Sequence, residues 1–394
     1  VTQSFHRVTR DERLLGFVAI DSTIAGRARG GLRLAADVSE AEIRAAARAM
    51  TLKYGLLGLP QGGAKAGVLG DPEAPPEEKR RLLAAFAEAA GPLLRGRAYV
   101  PDADLGTSAA DIRGMVESLG LRVGPRDWQG ERSGQYTAHS CLGALRAIVE
   151  TRGGTLAGRR VAIEGFGKVG SYLAGLLQAR GARIVAISTS RGALHREDGL
   201  DIGRLTRRAA QEGSGFVEDE PDRIACGALL ELPVDLLVPC ARFHGIHAGN
   251  VARVVAPVVC AGANDPVSPE AGHALFERGV VHPPDFLSNC GGVLGGTLEF
   301  AGVAPARVAT LVETAVLRHT AALLERALRQ GVAPRVLAEE EALLRHAAVR
   351  QASEHPTFRQ RLVGVGIEAY RRGLVPPALM AVVAPRYLSG WARA

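Results

Sequence analysis

The 394-residue sequence predicts an α/β protein in which a mainly parallel sheet carries helices on both faces. Three observations lead there. Short apolar runs rich in Val, Ile and Ala alternate with longer segments of helical period; a glycine motif, GFGKVG (165–170), falls between one such run and one such segment; and the length suits two or three domains.

In chain order, GFVAIDST (16–23) and GGLRLAAD (30–37) read as strands. Ser39, with Glu42 three residues later, starts a helix in a capping-box pattern that is expected to reach about Tyr54 and stop at Gly55. The stretch 58–72, GLPQGGAKAGVLGDP, reads as a glycine-rich loop. A proline-started helix follows, then a short strand in AYVPDADLGT and a helix capped by Ser108 and Asp111. From about 134 a second unit begins, with a helix over 135–150, the strand RVAIEGFG, a helix from Lys168 to Arg180 and the strand ARIVAIST. Further strands are expected at 234–240, 256–262 and 279–286, with Ser268-Pro269 opening a helix between the last two. From about 291 the chain reads as mostly helical. The expected domains are 1–133, 134–345, and a C-terminal helical segment 346–394 that returns to pack on the first.

Composition excludes several classes. With 47% hydrophobic and 23% charged residues the chain is neither disordered nor fibrous, and no apolar run approaches the ~18 residues of a spanning helix. The polar first segment and five cysteines without a CxxC pair suit a reducing, cytoplasmic setting with no membrane partner. The net charge of +7 does not mark a nucleic-acid binder, because the excess is spread along the chain. Of the 48 basic residues only four are lysine, namely Lys53, Lys65, Lys79 and Lys168. A chain that writes arginine almost everywhere keeps lysine where an amine must be able to lose its proton, which guanidinium cannot do.

GFGKVG supplies Gly165, Gly167 and Gly170 in the strand-to-helix context where a backbone approaches a pyrophosphate at a helix N-terminus, so the second domain is expected to be of Rossmann type. About twenty residues on, where an acid would hold the ribose 2′-hydroxyl of NAD, stand Ser188, Thr189, Ser190 and Arg191. Hydroxyls followed by arginine favour NADP over NAD, although a polar turn tolerates either. In MTLKYGLLGLPQGGAKAGV (50–68), Lys53 and Lys65 brought into one partly buried cleft would lower each other's pKa and so yield a base. Cys240, His244 and His247 have a loose metal-like spacing without an evident fourth ligand, and no metal is expected.

GGLR (30–33), MTLK (50–53), LPQGGAKAGV (59–68), PDADLGT (101–107), GFGKVG (165–170), AGANDPVSPEA (261–271) and PDFLSNCGGV (284–293) occur in the order and spacing of the glutamate/leucine/phenylalanine/valine dehydrogenases. The sequence resembles that family over roughly 15–300, and is nearest in type to the glutamate enzymes. The resemblance implies oxidative deamination of an L-amino acid by NAD(P)+ to a 2-oxo acid and ammonium. It implies that Lys65 activates water, Asp104 moves protons to and from the amine, and Lys53 binds the α-carboxylate. Arg29, Gly31, Ser133 and Gly296 would line the substrate. The glycine motif with Lys168 and Val169 would hold the cofactor together with Ala241, Asn264 and Asn289, and the cleft would lie between the domains. A homo-hexamer is implied, with a hetero-oligomer containing a paralogue as the alternative.

This chain departs from the family in places. Asp102 adds a carboxylate near Asp104, Ala261 replaces a glutamate, and Thr189 stands where an acid is usual. Arg29 with Ser133 favours an acidic substrate, whereas Gly296 argues against one. If Arg29 instead pairs with a neighbouring acid, a leucine- or valine-type substrate fits better. A non-catalytic amino-acid-binding subunit and a dinucleotide-binding redox sensor are the rival classes; retention of Lys53, Lys65 and Asp104 weighs against both.

Overall fold

A computed structural model describes residues 4–124 and 132–380; the ends of the expected first domain and of the segment 346–394 lie outside them. The described residues form two compact units, 4–124 with 300–302 and 339–380, and 132–299 with 303–338.

The first unit starts with strands β1 (Ser4–Arg10) and β2 (Arg13–Ile20), joined by Asp11 and Glu12, both at positive φ. A two-residue connection of that kind forces an antiparallel pair. Then come β3 (Ala28–Ala35), α1 (Glu40–Leu57), β4 (Gly62–Leu69), α2 (Pro76–Ala89), α3 (Gly91–Arg95), β5 (Tyr99–Ala103) and α4 (Ala109–Glu117). The sheet order is β1-β2-β4-β3-β5; β4 runs antiparallel to β2, and β3 runs parallel to both β4 and β5. Leu32, Leu34, Ala66 and Val68 pack with Phe86 of α2 and Ile112 of α4 on one face, while Phe17 and Ala19 pack with Ile43 and Ala47 of α1 on the other.

Two sequence readings change here. The glycine-rich stretch expected as a loop is β4, a buried central strand. Its glycines answer to packing: a Cβ on Gly63 would lie 2.3 Å from the Thr51 backbone nitrogen, and one on Gly67 would lie 2.3 Å from Val38 Cγ1. Helix α1 also runs past Gly55 and ends at Gly58, whose φ of 65° is the left-handed conformation of a glycine cap.

The second unit comprises α5 (Ser133–Glu150), β6 (Arg160–Glu164), α6 (Gly170–Ala179), β7 (Arg183–Thr189), β8 (Gly192–His195), α7 (Ile202–Glu212), β9 (Arg223–Ile224), β10 (Leu236–Pro239), α8 (Pro269–Glu277), α9 (Asp285–Ser288), α10 (Gly291–Phe300) and α11 (Pro305–Gln330). Its sheet order is β10-β6-β7-β8-β9, parallel from β10 to β7 and antiparallel beyond. Both sheets are therefore mixed, where the strand-helix alternation predicted mainly parallel ones. The expected strands 256–262 and 279–286 shrink to isolated bridges, Leu237 to Val259 and Val258 to Val281. Pro257, Pro283 and Pro284 lack the N–H that a longer ladder would need. Helix α11 lies on α5, and its buried Glu313 accepts from Arg146 at 2.8 Å and pairs with Arg180 at 3.0 Å. Among the described residues no helix is long and apolar enough to cross a membrane.

The chain ends, within the described residues, in α12 (Pro334–Glu354) and α13 (Phe358–Arg371), whose residues from 339 belong to the first unit. Helix α12 presses its backbone onto α1, so that a Cβ on Gly55 would lie 2.2 Å from the Ala342 carbonyl oxygen. His346 of α12 lies 3.3 Å from the Ser22 hydroxyl, which itself accepts from Gly63 N at 2.9 Å. Gly55→Val is accordingly expected to destabilise the first unit by about 1–3 kcal/mol through overpacking. Calorimetry would show this as a fall of several degrees in Tm, and an unchanged midpoint would remove the proposed role of that glycine.

Candidate active site and cofactor cradle

Strand alternation puts Arg29, Gly31 and Arg33 on one face of β3. In the parallel register Arg29 stands opposite Gly63 and Arg33 opposite Gly67, which brackets Lys65 on β4. Lys65 is only 2% exposed, and its Nζ lies 2.8 Å from Asp104 Oδ2, just beyond β5. A Cβ on Gly31 would lie 2.8 Å from Asp104 Cβ and 3.1 Å from Lys65 Nζ, so the pair can meet only across a glycine. Thr107 fixes the Asp104 main chain: its hydroxyl accepts from Asp104 N at 2.9 Å and donates to the Leu32 carbonyl at 2.8 Å.

Burial pushes the Lys65 amine below the ordinary lysine range against the opposing pull of Asp104. Burial alone would raise Asp104, but Lys65 and Arg33 outweigh it and hold this carboxyl well below the usual range. Arg33 Nε donates to the same Asp104 oxygen at 3.2 Å, and Arg33 Nη1 pairs with Glu42 on α1. Lys53 is buried further along α1, the helix that covers this face of β4.

Sequence reading did not single out Arg33 or Glu42. The signal for Arg33 was its place two residues beyond Gly31 on the same strand face. Glu42 was read as half of a capping box. The Ser39 hydroxyl does accept from Glu42 N at 3.2 Å, but the Glu42 carboxylate turns to Arg33 instead of to the cap. Arg29 is held by Asp102, with Nη2 at 2.9 Å and Nε at 3.2 Å from Oδ2, the two side chains being 38% and 43% exposed.

The second unit holds the other expected residues. Gly165, at the end of β6, has φ 95°, which favours glycine. A Cβ on Gly170 would lie 1.9 Å from the Gly165 carbonyl oxygen, and one on Gly165 would lie 2.8 Å from Ala241 Cβ. Around Gly167 there is open space, and Lys168 beside it is exposed ahead of α6, with Val169 as the residue before its first turn. Asn289 donates to the Ala263 carbonyl at 2.7 Å and to Asn264 Oδ1 at 3.1 Å, while its own buried Oδ1 has no hydrogen-bond partner among the described residues. A tight glycine turn, an open helix N-terminus and an orphaned amide oxygen fit a dinucleotide.

The hydroxyl trio expected to face a 2′-phosphate behaves differently. Ser188 is buried and accepts from Gly165 N at 3.0 Å, bracing the glycine turn, and Thr189 donates to the Ser214 carbonyl at 2.8 Å. Only Ser190 and Arg191 of that run stay exposed. Glu164, which sequence reading passed over as a strand residue, is buried under the same turn, and burial raises its carboxyl. Ser133 opens α5 beside Gly292, and Gly296 faces open space on α10.

The family descriptions Glu/Leu/Phe/Val dehydrogenase, dimerisation domain, and Glutamate/Leucine/Phenylalanine/Valine dehydrogenase match residues 3–120 and 131–352. An NAD-specific glutamate dehydrogenase of Staphylococcus aureus (strain COL) is 34% identical over 297 residues, covering 72% of each chain. An NADP(+)-dependent glutamate dehydrogenase of Pyrobaculum calidifontis is 33% identical over 292 residues, 70% of this chain and 69% of its own. The solved structure of a hetero-hexameric glutamate dehydrogenase from Thermus thermophilus in a leucine-bound form aligns with a TM-score of 0.75 at 28% identity, covering 88% of each chain. With both of its units matched in this way, the chain belongs to the glutamate/leucine/phenylalanine/valine dehydrogenase family.

Proposed function

We propose that this protein catalyses the reversible, NAD(P)-dependent oxidative deamination of L-glutamate to the 2-oxo acid and ammonium. The observation that carries this reading is the buried Lys65–Asp104 pair, a low-pKa amine and a carboxylate 2.8 Å apart across Gly31. Lys53 binds the substrate α-carboxylate. Lys65 takes a proton from the attacking water and then, as an ammonium ion, stabilises the oxygen of the carbinolamine. Asp104 moves protons to and from the substrate amine once Lys65 is neutral and no longer opposes protonation of the carboxylate. Gly165, Gly167, Lys168, Val169 and Gly170 would hold the dinucleotide together with Ala241, Asn264 and Asn289, with Asn264 facing its nicotinamide side; when bound, the group would supply the hydride acceptor. Ser190 and Arg191 favour NADP, with Ser188 and Thr189 shaping the turn beneath. A hexamer of this chain is the proposed assembly, and a hexamer shared with a paralogue is the alternative.

The test is absorbance at 340 nm with glutamate, leucine and valine against each cofactor. Lys65→Arg keeps the charge but removes the base, and a loss of at least about 100-fold in kcat is expected. Turnover within tenfold of the parent would refute the assigned role.

A second reading, a leucine- or valine-type substrate, is favoured by one observation: Asp102 already neutralises Arg29, the residue proposed to meet a distal carboxylate. Asp102→Asn separates the two. Removing that negative charge from beside the guanidinium should raise the glutamate-to-leucine ratio of kcat/KM by about tenfold. A ratio that stays put would exclude Arg29 from substrate choice.

A further inference from the structure

Lys65 and Asp104 are the inner half of a longer array. From α1 inward run Glu42, Arg33, Asp104 and Lys65, four side chains of alternating sign in direct contact, carried by a helix, two strands and the turn after β5. The array is secluded. Arg33 and Glu42 each retain 14% of their side-chain exposure, Asp104 19% and Lys65 3%. Arg33 cannot be read as a bystander, because its Nε shares with Lys65 the same oxygen of Asp104.

We propose that Arg33 and Glu42 are positioning residues that set the proton affinity of Lys65 through Asp104, and so fix the pH at which the amine becomes a base. The inference rests on the proposed role of Lys65 in catalysis, but its physical content does not.

The direction follows from the geometry. Arg33 competes with Lys65 for Asp104 and adds a like charge, so it favours the neutral amine. Glu42 draws Arg33 away from Asp104 and adds an opposite charge, so it favours the ammonium ion. The electrostatic contributions at Lys65 have these signs: Arg33 lowers its pKa, while Asp104 and Glu42 raise it. The other charged groups near the site are the same in the parent and in both variants. Arg29 is paired with Asp102, β2 sets the uncharged Ala19 opposite Lys65, Asp21 beyond it pairs with Arg48 at 3.7 Å, and Lys53 lies three helical turns past Glu42 on α1.

A role confined to folding would damage both variants alike; tuning moves them in opposite directions. Glu42→Gln should lower the pKa of Lys65, and Arg33→Gln should raise it, each by about half a unit or more, whereas Arg33→Lys should stay near the parent.

The paucity of lysine makes this measurable. The sequence holds four lysines, so 15N,13C-lysine labelling of the full chain gives four side-chain signals, and Lys65→Arg identifies the one of interest. Its titration is followed without substrate or cofactor. Opposite shifts in the two variants support the proposal; shifts in one direction, or none, overturn it. Should Arg33→Gln fail to fold, the sign of the Glu42→Gln shift decides, since a rise or no change contradicts the array.

In the dehydrogenase assay the acid limb of kcat/KM should move with the lysine signal, to lower pH in Glu42→Gln. A parent that titrates as described but deaminates no amino acid would refute the proposed function while leaving the tuning intact.

Discussion

An amine buried in the middle of a sheet costs several kcal/mol in lost hydration unless a counter-ion meets it directly. Most of the first unit's local structure can be understood as the response to that requirement at Lys65. Asp104 has to reach the amine, so β3 carries Gly31 where any side chain would hold the two apart. The Asp104 main chain has to stay in place, and Thr107 ties it to Leu32 of β3. A single carboxylate shared by two cations leaves an excess positive charge, and Glu42 removes it by joining Arg33 from α1. Helix, sheet and turn are thereby bound to one electrostatic arrangement.

The second unit solves a different problem by different means. The cradle proposed for the cofactor relies on neutral dipoles: the glycine turn after β6, the Ser188 hydroxyl that braces it, and the amides of Asn264 and Asn289. Such a surface suits a ligand that brings its own charge, because an anionic phosphate needs donors more than it needs a fixed counter-ion. Lys168 and Arg191 stand exposed in the same unit.

Much of this was legible in the sequence where local chemistry decides. The Ser39 and Ser108 caps, the proline starts and the glycine turn after β6 depend on neighbours within a few residues. The scarcity of lysine singles out Lys53 and Lys65, and both are buried in the first unit. What escaped depended on partners distant in the chain. Glycines at 62, 63 and 67 look like loop punctuation, yet they make room for α1 and for crossing backbone in a buried strand. Gly55 looks like a helix stop until α12, nearly 300 residues later, lies across it. The sequence leaves the acid that pairs with Arg29 unspecified, since naming Asp102 requires knowing that β3 and β5 are neighbours. Ser188 differs from its sequence reading for the same reason: its hydroxyl faces the glycine turn that packs opposite it.

Lys65 and Asp104 depend on each other for stability, each being the buried counter-ion of the other. A double-mutant cycle with Lys65→Met, Asp104→Asn and the pair tests this dependence, read as the opening free energy of the β4 amides 64–68 by native-state hydrogen exchange. Each single change should cost about 3–5 kcal/mol by stranding a buried partner, and the double variant should recover much of that loss, with a coupling of about 2 kcal/mol or more. Losses that simply add, within about 0.5 kcal/mol, would contradict the account.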